Sequence, residues 1–228
     1  MSAKTNTAEN TYGKYSVPDG LDHRPAVRLI KQGEVYEPKT IEFMRRHAGD
    51  GDIIHAGTFF GDFLPGLSAA MAKTAKIWAF EPSPDSFAHA AKTVALNKLK
   101  NVALGNFALS DRDGEILFKT MDDNGMPMGG HAHFVEQDGP GVEKVPAIML
   151  DYAVPLDRPV SILQLDIEGH EGTALLGAYH ILHKWKPILV LEEFDQPRWL
   201  RKQFPRLGYH KAGRVHGNLI YLPEGREL

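Results

Sequence analysis

The sequence predicts an α/β fold, a parallel sheet covered by helices on both faces, and three observations carry that prediction. First, strand-like and helix-like runs alternate from Asp52 onward: "DIIHA", residues 62–73, "KIWAFE", "SPDSFAHAAKTVALNKL" and "NVALGNFAL", with the rhythm resuming at "SILQLDIEG", a helix near 173–183 and "KPILVLEEFD". Alternation at this spacing is what right-handed crossovers between parallel strands produce. Second, the clearest helix carries one apolar stripe, Phe87, Ala91, Val94 and Ala95, behind Ser83 as N-cap and Pro84 at the first helical position. Third, the chain ends on "GYHKA" and "NLIYLP", two strands joined by a brief loop, so the sheet finishes antiparallel.

Taken in order, residues 1–25 hold turn formers and few large apolar side chains and read as a flexible N-terminal arm with no packed element. Residues 26–228 read as a single domain. It opens with "IEFMRRHA", a short amphipathic helix ahead of the turn "GDGD". "GEILFKT" and "VEKVPAIML" read as a hairpin inserted at about 115–148, with the glycine-rich loop "MDDNGMPMGGHAHFVEQDGPG" between its strands. "PRWLRKQF" is a short helix, and no internal repeat of fixed period occurs.

The 228 residues are 43% hydrophobic and 24% charged, which supports one continuous core. A net charge of -3, from 26 basic and 29 acidic side chains interspersed along the chain, gives no footprint for nucleic acid or an anionic membrane, so a small-molecule partner is expected. The absence of cysteine excludes disulfides, thiolate metal sites and cysteine nucleophiles. The polar N-terminus lacks the apolar core of a secretory signal, and no stretch approaches the ~18 apolar residues of a membrane span, so a cytoplasmic location is expected.

Candidate function concentrates at the strand ends. "DIIHAGTFFGDF" passes from strand to helix through Gly57 and Gly61, with His55 near the end of the strand. Glycine there lets backbone N–H groups approach a ligand, and the helix N-terminus adds partial positive charge. The spacing is G-x-x-x-G, so the G-x-G-x-x-G phosphate cradle is absent. Glu81 closes the next strand 24 residues past Gly57, where a carboxylate accepts the two hydroxyls of a ribose. A nucleoside without pyrophosphate points to S-adenosylmethionine. The plainer alternative is that the glycines only permit tight packing and Glu81 only caps the following helix.

Two further strand ends carry acids. "LQLDIEGHE" sets Asp166 at the carboxyl end of a buried strand, with Glu168, His170 and Glu171 in the turn beyond it, and "LVLEEF" sets Glu192 and Glu193 at the end of the next. In an open α/β sheet ligands bind outside the carboxyl ends, so these side chains share a crevice with Gly57 and Glu81. Methyl transfer from a sulfonium needs an in-line approach at ~3 Å and, where the acceptor gives up a proton, a group to receive it. A crowded carboxylate, Asp166 among Glu168 and Glu192, suits that task, with His170 as the competing candidate. Mg²⁺ held by Asp166 with Glu192 or Glu193 is a second reading and helix capping a third; no metal ligand is assigned.

The ordered set "YEP" (36–38), "HAGTFFGD" (55–62), "AFEPSP" (79–84), "NFALSDRDGE" (106–115), "LD" (150–151), "LDIEGHE" (165–171) and "ILVLEE" (188–193) resembles the FkbM-type methyltransferases over roughly residues 34–222. The resemblance implies a Rossmann-like class I methyltransferase fold, a seven-stranded, mostly parallel sheet with an antiparallel last strand. It also implies S-adenosylmethionine as donor and a hydroxyl on a sugar or natural product as acceptor. Carried onto this chain, it implies that Gly57, Thr58, Phe59, Gly61 and Asp62 lie beside the methionine part of the cofactor and Glu81, Pro82 and Ser83 at the ribose. Asn106, Phe107 and Ala108 would lie near the adenine, Tyr36 and Glu37 would close the pocket from the N-terminal side, and His55 and Asp166 complete the set. Three positions depart from the family pattern: His55 stands for its usual Asp, Phe59 for Asn and Gln164 for Lys. The usual acid helps hold the cofactor's ammonium, and a neutral imidazole can also accept a hydrogen bond.

The loop Gly129 to His133, "GGHAH", is the candidate contact for the hydroxyl acceptor rather than a metal-ligand pair. A nicotinamide-dependent oxidoreductase is the rival reading, but its G-x-G-x-x-G and Tyr-x-x-x-Lys patterns do not occur, and a cofactor-binding protein without catalysis is a third. Esterase, zincin and P-loop motifs are also missing. A homo-oligomer is compatible with the sequence.

Overall fold

The computed structural model describes residues 6–228. The central sheet is built from strands that are apolar on both faces, which is why it lies in the middle of the molecule. In chain order the elements are β1 (Thr7–Asn10), β2 (Gly13–Ser16), α1 (Pro25–Lys31), α2 (Pro38–His47), β3 (Asp52–Ala56), α3 (Leu64–Ser68), β4 (Ile77–Phe80), α4 (Pro84–Leu96) and β5 (Val102–Gly105). An inserted region follows, β6 (Ala108–Leu109), β7 (Gly114–Lys119), β8 (His133–Val135) and β9 (Val142–Ile148). The chain then runs through α5 (Leu150–Ala153), β10 (Val160–Leu165), α6 (Glu171–Leu176), α7 (Tyr179–Trp185), β11 (Ile188–Glu192), α8 (Pro197–Gln203), β12 (His210–Val215) and β13 (Asn218–Leu222).

Seven strands form the main sheet in the order β12-β13-β11-β10-β3-β4-β5. The run from β11 to β5 is parallel and β13 is antiparallel to both neighbours. From β3 the chain winds first toward β5, then returns to build β10 and β11 on the other side. The direction of winding therefore reverses between β3 and β10, and that is where a doubly wound sheet opens a crevice. Alternate residues feed two cores. Ile54, Leu163, Leu165, Leu189 and Leu191 pack with Ala174, Leu175, Ile181 and Leu182 on one face, while Ile53, Ile77, Ala79, Ile162 and Val190 pack with Ile41, Met44, Leu64 and Leu67 on the other. At the amino end of β3, buried Asp52 accepts from Arg158 Nε (2.6 Å) and Nη2 (2.8 Å), Lys76 N (2.8 Å) and Trp78 Nε1 (2.7 Å), so its charge is matched on every side.

Several sequence expectations change. The first concerns residues 7–25, because β1 and β2 form a packed hairpin rather than a loose arm; residues 1–5 of the expected arm lie outside the described residues. Its apolar residues are few but converge: Tyr15, Val17 and Leu21 are buried with Val27, Ile30, Phe59 and Phe60. The second concerns α4, which buries Ser86, Ala90 and Thr93, one position off the expected stripe, and leaves Ala95 exposed. The hairpin explains the shift, since Ser16 N donates to Thr93 Oγ1 (3.0 Å) and Lys14 N to Asn97 Oδ1 (2.8 Å), giving that polar edge of the helix a partner.

The third is the helix near 173–183, which is two helices. A Cβ at Gly177 would fall 2.0 Å from Ser110 O, so the chain breaks where another backbone passes. The helix after β3 is likewise shorter than its sequence run, covering Leu64–Ser68. The fourth is the inserted hairpin, which is a four-stranded sheet of order β6-β9-β7-β8 because Ala108 and Leu109 pair with β9 and residues 133–135 pair with β7. Among the described residues, no helix is long and apolar enough to cross a membrane.

Candidate active site

A cleft with about 1090 Å³ of empty space, continuous with solvent, lies at the carboxyl ends of β4, β3, β10 and β11. Its depth comes from strand ends held level. Gly57 N donates to Phe80 O (3.1 Å), Asp166 N to Ala56 O (3.1 Å) and Glu81 N to Gly105 O (3.1 Å). Gly57, at φ +79°, is dictated by packing, since a Cβ there would meet Asp166 O at 1.8 Å. Packing therefore requires this glycine, and it brings the β3 turn against the first acid after β10.

Glu81 does two jobs at the end of β4. Its Oε2 accepts from Phe59 N (2.7 Å) and its Oε1 from Ser83 N (2.9 Å), so it ties the β3 turn to the start of α4 while remaining part of the cleft wall. Burial pushes its carboxyl up to about 8, against the pull of those two N–H groups. Asp62, also on the wall, is pushed up to about 7, again chiefly by burial.

His55 is 2% exposed, stacks on Phe63 at 5.3 Å between centroids, and bonds through Nδ1 to Gln164 Oε1. An amide oxygen only accepts, so Nδ1 carries the proton and Nε2 is a bare acceptor, without a partner among the described residues. Burial pulls the ring down to about 4. His55 and Gln164 are register partners across β3 and β10, so two departures from the family pattern are one local exchange, a neutral hydrogen-bonded pair where an acid and a lysine would stand.

Beyond β10 the backbone turns through Glu168 at φ +54°, a conformation that costs a non-glycine residue roughly 1–2 kcal/mol. Glu171 holds this loop, its Oε1 accepting from Ile167 N (3.1 Å) and Gly169 N (3.3 Å). Asp166, Glu168 and Glu192 then offer carboxylate oxygens that all lie within 4.8 Å of one another. Burial, followed by the adjacent Glu192 carboxylate, raises Asp166 well above the usual range. Glu168 is pushed up to about 7, by burial first and Glu192 second. His170 lies 4.8 Å from the Phe134 ring, and burial lowers its basicity.

Of the residues marked in the sequence, Tyr36, His55, Gly57, Phe59, Asp62, Glu81, Pro82, Phe107, Ala108, Asp166, Glu168, His170 and Glu192 line the cleft, as do Gly129, Gly130 and His131. Glu37, Thr58, Gly61, Ser83, Asn106 and His133 do not. Glu37 accepts from Thr40 Oγ1 (2.8 Å) and Asn218 Nδ2 (2.9 Å) and so braces α2 against β13. Thr58 donates to His55 O (3.2 Å), and Asn106 Nδ2 donates to Glu81 O (2.8 Å) and Pro82 O (3.0 Å). Gly61 faces Leu64 and Thr93, Ser83 Oγ accepts from Ser86 N at the start of α4 (3.5 Å), and the His133 ring is tied to His131 O (2.9 Å). These residues shape the wall from behind.

The sequence reading missed the roof, Ile116, Phe118 and Phe134 of the inserted sheet, and also Arg24, Pro25 and Ala26 at the start of α1. Strand periodicity marks one face of β7 as apolar but does not say what it covers. Arg24 stood in a segment expected to be loose.

The FkbM methyltransferase domain model matches residues 55–211, more than half of the chain. Among solved structures, methyltransferase FkbM from Methylobacillus flagellatus KT superposes with a TM-score of 0.52 at 15% identity, over 76% of this chain and 43% of that one. This chain therefore spans less than half of that protein's length. A SAM-dependent methyltransferase from Aquifex aeolicus gives 0.47 at 14% identity, over 83% of this chain and 89% of the other. No curated protein matches in sequence. The sheet order and the likeness to the Methylobacillus structure are those of a class I methyltransferase fold, and the domain match over more than half of the chain leads to one conclusion: the chain belongs to the FkbM methyltransferase family.

Proposed function

We propose that this chain moves the methyl group of S-adenosylmethionine onto a hydroxyl of a sugar or natural-product-like small molecule, and that Asp166, backed by Glu192, takes the hydroxyl proton. The observation that carries the proposal is the group of three carboxyls at the ends of β10 and β11, beside the β3 turn. The residues suit the donor. Glu81 offers its remaining lone pairs to ribose hydroxyls, Pro82, Phe107 and Ala108 form an apolar slot for a flat base, and bare His55 Nε2 can accept from an ammonium. The bound donor supplies an electrophilic methyl on a sulfonium. The chain supplies the rest: acids that favour a cation, a roof of Ile116, Phe118 and Phe134 that limits water, and a carboxylate to receive the proton as oxygen forms its bond to carbon and the carbon–sulfur bond breaks. Gly129 to His131 would meet the acceptor, with His133 steadying the loop from outside the cleft.

A base must be ionised to act, and the raised pKa of Asp166 delays ionisation. The rate should therefore climb as pH rises through and above the ordinary carboxylate range, and then level off once Asp166 is ionised. Asp166→Asn should lower kcat by roughly 10²- to 10⁴-fold with donor affinity kept within a few-fold. Assays on a panel of hydroxylated sugars and polyketides, with and without a chelator, test both. A chelator that abolishes turnover would replace the base with a metal held by the same three carboxylates. Methyl transfer unchanged in Asp166→Asn would remove Asp166 from the reaction.

A further inference from the structure

The cleft is acidic, with one exception. Asp62, Glu81, Asp166, Glu168 and Glu192 line it, and Arg24 is the single lysine or arginine among the described lining residues. Arg24 is the residue on which α1 begins. Pro25 follows at the first helical position, which fixes the backbone there. Its Nη2 donates to Met128 O (2.5 Å), in the loop of the inserted sheet that runs on to Gly129 and Gly130 against the Phe59 ring. Its Nε–H is buried and has no partner among the described residues. Glu168 lies near enough to favour the guanidinium charge, but no carboxylate of the described residues comes within ion-pair distance of it.

A buried N–H donor without a partner is costly, and where it lines a cleft it is an invitation to a ligand acceptor. The chemistry of the acceptor follows from the charges. A methyl donor of the sulfonium type carries two positive groups, the sulfonium and the ammonium, and one negative group, the α-carboxylate. The wall offers an excess of carboxylates for the first two and one guanidinium for the last. Position agrees: Glu81 closes the wall at β4, and Arg24 stands beyond the β3 turn, on the side of Phe59, Gly129 and Glu168. The ribose end and the amino-acid end of one extended ligand can therefore reach both.

We infer that Arg24 binds the α-carboxylate of the methyl donor. The inference rests on the donor reading above and adds to it a residue from outside the matched domain. Because the same guanidinium is tied to Met128 O, a filled carboxylate site also pins the inserted sheet's loop onto the N-terminal segment, which seats the roof when the donor is in place.

The test compares two nucleosides by calorimetry on the full chain: S-adenosylhomocysteine, which keeps the amino acid, and 5′-methylthioadenosine, which lacks it. Arg24→Met should weaken S-adenosylhomocysteine by roughly 10- to 100-fold, the range of one charge-assisted hydrogen bond, and leave 5′-methylthioadenosine within about 2-fold. Arg24→Lys should fall between Arg24→Met and the parent, and it provides the same comparison should Arg24→Met not fold. Equal weakening of the two nucleosides, or no weakening of either, overturns the assignment while leaving the donor reading intact. Failure of the unmodified protein to bind either nucleoside overturns both.

Discussion

His55 shows how a buried polar position in the middle of a sheet can be kept neutral. In the middle of the sheet an aspartate needs a compensating cation, and the family resemblance implies a lysine at the position of Gln164. Here the pair is neutral, with Nδ1–H donating to the amide oxygen and Nε2 left as a buried acceptor without a partner among the described residues. The exchange removes two buried charges and their desolvation cost without removing the acceptor. His55→Asp alone would bury an unpaired carboxylate, and Gln164→Lys alone an unpaired ammonium, each costing about 3–5 kcal/mol of stability. Together they should recover part of that loss, with a coupling of about 1–3 kcal/mol in a double-mutant cycle of urea unfolding. Strict additivity would mean that the two residues do not act as a pair. Phe59 makes a related point. Its φ of +50° suits asparagine better than an aromatic ring, and the chain accepts that strain because the ring packs against Tyr15's neighbour Phe60 (4.8 Å) and roofs the turn under Gly129.

At the scale of elements, the motif aspartate at 151 is a fastener. Asp151 accepts from His180 N (2.8 Å) and Ile181 N (3.0 Å), so it caps α7 from a distance and fixes the helix that covers β10. Asp151→Ala leaves the buried Ile181 N–H and the part-buried His180 N–H open, and the expected cost is about 1–3 kcal/mol in thermal or denaturant unfolding, with donor binding retained. An unaltered midpoint would show that water or another side chain replaces it. The strands, their parallel run, the antiparallel finish and the acids at the strand tips were legible in the sequence because each has a local signature: apolar runs, alternation with helices, and polar residues where the runs stop. Features set by contact between distant segments were not. The break at Gly177 depends on the Ser110 carbonyl, the buried edge of α4 on the β1–β2 hairpin, and the role of Arg24 on the Met128 carbonyl. Several residues of the family motifs, Glu37, Thr58 and Asn106 among them, brace the wall from behind, which motif spacing alone does not distinguish from lining it.

For the whole molecule, one topological fact organises the chemistry. Winding reverses between β3 and β10, and the four strand ends around that reversal carry His55, Glu81, Asp166 and Glu192 to one cleft. The N-terminal segment and the inserted sheet, neither part of the alternating core, close its sides with Arg24, Tyr36, Ile116, Phe118 and Phe134. The result is an acidic, part-apolar chamber with one arginine among its described lining residues, and the donor reading places a positively charged nucleoside in it. The most direct measurement is a calorimetric titration of the full chain with S-adenosylhomocysteine, repeated with Glu81→Gln. One-to-one binding is expected, weakened at least about 10-fold by the substitution because the ribose loses its carboxylate acceptor. Absence of binding by the parent protein, or equal binding by the variant, would contradict the placement of the donor across these strand ends.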